Sequence, residues 1–308
     1  MARFAFMCLQ HMGFNEFMNF FRLKIMAFIR AGLILTTLLF FFIVVTPFQM
    51  LAVRLNLPIA AFGQLALSRA LLFLLRVKID LVGSPSPVRP RLIVANHVSW
   101  VDILVFAAIE PVCFLAKHEV STWPLIASFA KAQLTVFVDR KRRRSIPGAN
   151  RAMAARMSEG RSVLLFPEGT THDGRELGKF HSSHIAAARD LLARHHETDK
   201  VSIQPAALFY SAPHAGWTGD ATLLPHLWEI LKKPPLRVCV IFGAALAYER
   251  SSDRKILCAA AKHEISSLLE TYRTISDQRY GSLLKDQPVA TPCFETQVFG
   301  AAPQHEGM

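Results

Sequence analysis

His97 and Asp102 stand five positions apart in NHVSWVD (96–102), and they are the residue types of a general base and of the carboxylate that orients one. Five positions of regular helix amount to ~500° of rotation, which leaves two side chains roughly 140° apart. They meet only if His97 lies on the turn before a helix and Asp102 in its first turn. A helix opening near Ser99, with that serine as its cap, satisfies this condition. The carboxylate then holds one imidazole nitrogen as a donor, and the other keeps its lone pair as a base. A capping aspartate beside a satisfied loop histidine explains the same spacing, so the pair alone does not define an activity.

Two further clusters carry chemistry. In FVDRKRRR (137–144), Arg140 comes first after the apolar run, and a guanidinium there can clamp a phosphate bidentately. Arg142, Arg143 and Arg144 read as a solvated run. Without accompanying stacking aromatics they do not suggest nucleic acid. In FPEGTTHDG (166–174), Glu168 stands on a tight turn and Gly169 permits close backbone approach to a ligand. Thr170 and Thr171 add hydroxyls. His172, His181, His184, His195 and His196 show no ligand spacing with carboxylate support, so no metal or other resident cofactor is expected. No GxSxG elbow supplies a nucleophilic serine. A base without a protein nucleophile points to direct activation of a substrate hydroxyl or of water.

The elements that must position these clusters are legible as alternating runs. RLIVAN, VCFLA, LTVFVD, SVLLFPE, VSIQPAAL and LRVCVIFG read as strands. Between them, Ile146, Ala149, Met153 and Met157 mark one helical face, and Ile185, Ala188 and Leu192 another. The alternation predicts an α/β fold, a mixed and mostly parallel sheet flanked by helices. The near-continuous apolar strands place helices on both faces. All three polar clusters follow strands directly, and ligands of open α/β sheets bind outside the carboxyl ends of strands. They are therefore expected around one site.

The 308 residues are 52% hydrophobic and carry a net charge of +12, a combination that favours an anionic membrane surface. Residues 31–53 contain no charged side chain. As a helix they reach roughly 34 Å, against a hydrocarbon core of ~30 Å, and Pro47 is expected to kink or end that helix. Residues 57–75 form a second apolar stretch, interrupted by Arg69. It reads either as the return arm of a membrane hairpin or as the first buried helix of the globular part. Cationic residues flank the first run on both sides, which places both flanks on the cytoplasmic side. The five scattered cysteines read as free thiols. The expected organisation is an N-terminal membrane-associated helical segment (1–80), a catalytic domain (81–276) and a loosely ordered tail (277–308).

Four blocks in order, Asn96-His97 with Asp102, Phe137-Val138-Asp139-Arg140, Phe166-Pro167-Glu168-Gly169-Thr170 and Ile203-Gln204-Pro205-Ala206, resemble the glycerolipid acyltransferases. The likeness is strongest to bacterial lysophosphatidic acid acyltransferases. The resemblance implies that His97, paired with Asp102, deprotonates an acceptor hydroxyl that attacks an acyl thioester without a covalent acyl-enzyme. Coenzyme A or acyl carrier protein would be the donor's carrier, and 1-acyl-sn-glycerol-3-phosphate the acceptor. Arg140 would grip the acceptor's phosphate, with Glu168, Gly169 and Thr170 at the substrate. It also implies a bacterial inner-membrane location, with the catalytic domain facing the cytoplasm. Two departures stand out: Thr171 replaces an arginine common in relatives, and Phe180-His181-Ser182-Ser183 lacks the lysine or arginine that often follows the phenylalanine. The FPEGTT form also resembles enzymes that acylate lyso-ornithine lipid, the alternative acceptor. A lipid-binding protein with a dead site is the alternative of another class.

Overall fold

The computed structural model describes residues 14–55, 57–219 and 221–280. Its strands are β1 (Val77–Val82), β2 (Arg91–Ala95), β3 (Val112–Lys117), β4 (Val136–Val138), β5 (Ser162–Leu165), β6 (Lys200–Tyr210), β7 (Leu236–Phe242) and β8 (Leu246–Glu249). They form one sheet in the order β1-β7-β6-β2-β5-β3-β4, with β8 also beside β6. From β6 to β4 all neighbours are parallel. β7 and β8 run antiparallel to β6. The six strands expected from apolar runs are present. β1 and β8 were not expected: VKIDLV interrupts its apolar residues with Lys78 and Asp80, and LAYE is short and only partly apolar.

The fully buried runs of β2 and β5 sit between two helical layers. On one face lie α6 (Ile146–Ser158), α7 (Ala186–Leu192) and α9 (Arg254–Tyr280), contributing Met153, Met157, Leu191 and Ile265 to the core. On the other lie α3 (Phe62–Leu75), α4 (Val101–Ile109), α5 (Ile126–Ala132) and α8 (Leu223–Lys232), contributing Leu67, Phe106, Phe129 and Ile230. The edge of β6 is divided: Ala206–Tyr210 pair with β7, while Lys200–Ile203 pair with β8. At the changeover the Gly243 N–H donates to the Pro205 carbonyl at 2.9 Å. Pro205, which has no N–H, thus occupies the break in the ladder, where a proline inside a sheet is tolerated.

The first long helix does not end at Pro47. α1 (Phe14–Phe40) passes through a π turn at Phe41–Val45 into α2 (Thr46–Arg54), and the Thr46 hydroxyl donates to the Phe41 carbonyl at 2.9 Å. A π turn re-registers the hydrogen bonds around the N–H that proline lacks. Phe21–Arg54 is long and apolar enough to cross a bilayer, and only 6% of its most apolar window is buried. It touches the domain along a narrow stripe. Phe28 packs on Trp228 with ring centroids 4.6 Å apart, and Arg30 donates to the Leu231 carbonyl at 2.7 Å. Further along, Phe42 meets Phe129 and Gln49 donates to the Ala132 carbonyl at 3.4 Å.

The second apolar stretch takes the buried alternative. α3 buries Leu67, Leu71, Leu72 and Leu75, and the Arg69 Nε donates to the Ala108 carbonyl at the end of α4. Of the expected tail, residues 277–280 belong to α9 and residues 281–308 lie outside the described residues. Cys113 and Cys258 are free and buried.

If α3 is a core helix, Leu72→Ala should lower the unfolding free energy by about 2–5 kcal/mol, as truncation of a buried leucine does. Phe73, 80% exposed on the same helix, should tolerate alanine within about 0.5 kcal/mol. Denaturant titration of the two variants checks this, and equal effects would contradict the assignment.

Candidate active site

β2 ends at Ala95, and Asn96 fixes the turn that follows. Its side-chain amide donates to the Leu208 carbonyl at 3.0 Å and its oxygen accepts the Leu208 N–H at 2.7 Å. His97 therefore leaves the sheet at a position set by β6. Its Nδ1 lies 2.8 Å from Asp102 Oδ2, with His97 before the helix and Asp102 in the first turn of α4. The same oxygen accepts the N–H groups of Val98 at 2.7 Å and Ser99 at 2.9 Å. Tyr210, at the end of β6, donates its hydroxyl to the other carboxylate oxygen at 2.6 Å.

Asp102 is fully buried and surrounded by donors. An ionised carboxylate is acceptor-only, so Nδ1 carries the shared proton and Nε2 presents its lone pair. The imidazole, 17% exposed, stacks on Phe166 at 4.0 Å and 9°, which fixes its plane. The Tyr210 phenol is pushed well above its ordinary range, first by burial and then by the Asp102 charge. It stays a protonated donor.

The helix start departs from expectation in one detail. α4 begins at Val101, and the buried Ser99 hydroxyl makes no hydrogen bond among the described residues. Asp102 instead reaches back to two N–H groups of the turn ahead of the helix, and no side chain caps the first turn among the described residues.

Glu168, expected at the substrate, is engaged by backbone N–H groups. Its carboxylate is buried, accepting the His97 N–H at 2.8 Å on Oε1 and the Gly178 N–H at 2.7 Å on Oε2. His172 Nε2 stands 3.5 Å away. Burial raises its pKa, while the two backbone donors oppose that rise. Glu168 thus ties the turn after β5 to the turn after β2. Gly178 permits this approach, since a Cβ there would come within 2.7 Å of Glu168 Oε2. Gly169, at φ +77°, closes the turn with its N–H on the Phe166 carbonyl at 3.2 Å.

Arg140 follows β4 and donates to the Gly169 carbonyl, so the second and third clusters are joined. Thr170 is exposed beside them. Arg142, 83% exposed and 3.3 Å from Asp139, is the solvated cation expected of that run. Thr171 turns away from the pocket and donates its hydroxyl to the Trp217 carbonyl. The Trp217 N–H in turn donates to the Val98 carbonyl at 2.9 Å. His226 steadies this strap, accepting from Trp100 Nε1 at 2.9 Å and donating from Nε2 to the Gly216 carbonyl at 3.0 Å. His184 Nδ1 donates to Asn150 Oδ1 at 2.9 Å.

The arrangement brings together His97, Asp102, Glu168, Gly169 and Arg140. His195 lies apart, at the end of α7 beside Glu197. Tyr210 and the Trp217 strap were missed from sequence, and Asn96 was named there without a role of its own. A tyrosine ending an apolar strand carries no signal of its own; only the register of β6 against β2 brings it to Asp102.

A sequence model of the family described as Acyltransferase matches residues 78–208. The lyso-ornithine lipid O-acyltransferase of Rhizobium meliloti is 34% identical, with 74% of this chain and 81% of the relative covered. The 1-acyl-sn-glycerol-3-phosphate acyltransferase of Neisseria gonorrhoeae is 32% identical, over 63% of this chain and 75% of the relative. Among solved structures, the 1-acyl-sn-glycerophosphate acyltransferase PlsC of Thermotoga maritima matches with a TM-score of 0.48 and 19% identity, over 78% of this chain and 97% of that one. The matched segment runs from β1 through β6 and contains the His97/Asp102 turn and the Glu168 turn. With a full-length relative aligned over 81% of its length at 34% identity, this chain belongs to the acyltransferase family.

Proposed function

We propose that the chain transfers an acyl group from a thioester to the free hydroxyl of a lysolipid, and that the acceptor is lyso-ornithine lipid. His97 Nε2 takes the acceptor's proton, the oxygen attacks the thioester carbonyl, and the tetrahedral intermediate expels the thiolate. The thiolate takes up the proton from imidazolium. Asp102 keeps the imidazole in the competent tautomer and stabilises the charge it gains. Glu168 is a positioning residue, holding the His97 main chain. The acyl carrier is coenzyme A or acyl carrier protein.

The observation that carries the acceptor assignment is the supply of fixed positive charge. A phosphate monoester is a dianion, and Arg140 is committed in part to Gly169. Thr171, at the position where relatives often place an arginine, points to Trp217 instead. His184 is held neutral, its pKa lowered to about 4 by burial, then by Arg140 and His181. An amino-acid headgroup offers one carboxylate, which one guanidinium matches bidentately. Similarity to the Rhizobium meliloti enzyme and to that of Brucella abortus, 35% identical over 76% of its length, supports the same reading. The second reading, lysophosphatidic acid, rests on the Neisseria relative and on Arg140 itself.

The helix Phe21–Arg54 supplies the place of work. It meets the domain at both Arg30 and Gln49, so the domain flanks much of its length. We infer that it lies along one leaflet, its exposed apolar sides in lipid, at the cytoplasmic face of the bacterial inner membrane. The acceptor then reaches His97 from the bilayer.

Acyl transfer by purified protein, offered lyso-ornithine lipid and lysophosphatidic acid side by side, tests the acceptor. The expected result is a higher kcat/KM for lyso-ornithine lipid; preference for lysophosphatidic acid overturns it.

His97→Ala should lower kcat with the preferred acceptor by about 10²–10⁴-fold. Retention of a tenth of wild-type activity would refute base catalysis by this residue.

His184 generates a pH dependence. Because its folded pKa, about 4, lies below its unfolded value near ~6.5, the unfolded chain binds more protons between those limits. Stability is therefore lost as pH falls through that window. His184→Gln should flatten the decline in Tm between about pH 6.5 and 4; melts with an unchanged slope would contradict this.

A further inference from the structure

At the opposite end of the sheet from His97, beside the amino ends of β3 and β5, a cavity of about 250 Å³ opens between α2, α3 and the sheet. At roughly 30 Å³ per water it exceeds what one or two solvent molecules fill. Arg89, Arg161, Gln133 and Glu110 line it.

The charges around it do not balance. Arg89 and Arg91 share the single carboxylate of Glu110, and Arg156 and Arg161 share that of Glu159. Four guanidinium groups thus stand against two carboxylates. Arg89 Nη2 is 3.6 Å from Glu110, beyond hydrogen-bonding range. Arg161 spends its Nε on Glu159 at 3.3 Å, and its two Nη atoms have no partner among the described residues. Gln133 accepts from Gln64 at 3.3 Å, leaving its own NH₂ group unmatched. Behind the wall, the Nε atoms of Arg91 and Arg156 are buried without a hydrogen-bond partner. Native proteins leave few buried donors unsatisfied. An excess of donors and of positive charge around a cavity of this size is complementary to an oxyanion.

The rim is apolar. Ala60 and Ala61 line the cavity within the α2–α3 connection, where Leu57, Ile59 and Phe62 are 45%, 66% and 65% exposed. Val88, next to Arg89, is 45% exposed. Donors within the cavity and exposed apolar side chains on the chain segments that line it match a molecule with an anionic head and acyl chains. We propose that this cavity binds a phosphate group, supplied by the phosphodiester headgroup of an anionic bilayer lipid, at a site separate from the acceptor site.

Full-length protein in detergent is titrated calorimetrically with dihexanoyl phosphatidylglycerol below its micellar concentration, and separately with inorganic phosphate. Arg161→Gln should weaken phosphatidylglycerol binding about tenfold, the size of one lost charge-assisted hydrogen bond pair. Arg161→Lys should recover part of that loss. Glu159→Gln, which breaks the ion pair and leaves the cavity's donors in place, should bind at least as tightly as wild type. Acyl transfer in detergent should be unchanged in Arg161→Gln, so a defect here is distinguishable from failure of the catalytic reading. Equal phosphatidylglycerol binding by wild type and Arg161→Gln would overturn the site. Inorganic phosphate binding as tightly as the lipid would overturn the lipid assignment.

Discussion

Much of the site hangs on the carboxylate of Asp102. A buried ionised group is tolerable only when its lone pairs are filled, and here the imidazole, two backbone N–H groups and a phenol fill them. The donors come from two differently constrained pieces of chain, the turn after β2 and the end of β6, and the carboxylate itself from the first turn of α4. The charge therefore sets the position of His97, the point at which α4 begins and the register in which β6 lies beside β2. Removing a donor would leave part of a buried charge unsolvated, at a cost on the order of 1–3 kcal/mol or more. That penalty holds the His97 turn in one geometry.

Glu168 repeats the device one strand further along. By accepting the His97 N–H from the turn after β5, it locks two neighbouring parallel strands at their carboxyl ends. The two carboxylates thus divide the work on one histidine, Asp102 holding its ring and Glu168 its backbone. Phe166 supplies the flat surface on which the ring rests. Around this turn Arg140, Thr171 and Trp217 all donate to backbone carbonyls.

The central sheet was legible in the amino-acid order because buried parallel strands are written as short, nearly unbroken apolar runs, and the polar clusters follow them directly. The His97/Asp102 geometry was legible because rotation along a helix permits only one arrangement for that spacing. What was not legible depends on long-range register. Tyr210 reaches Asp102 across 108 positions of chain, and β1 joins the sheet only through β7. Glu168 read as a substrate contact because a carboxylate on a glycine turn has the same local pattern whether it faces a ligand or a neighbouring backbone. The fate of residues 57–75 was open because an apolar stretch that packs under a sheet and one that enters lipid have similar composition.

The narrow stripe along Phe21–Arg54 has a consequence for biogenesis. Its docking partners, Phe129 and Ala132 on α5 and Trp228 and Leu231 on α8, lie far downstream. Between the emergence of Arg54 and that of Leu231 the ribosome adds roughly 180 residues, which at ~5–20 residues per second takes about 10–35 s. Over that interval the helix of 34 residues has α3, which follows it directly in the chain, to pack on, but it lacks the surface of α8. The stripe that docks on α8 is therefore left bare until the domain it meets exists.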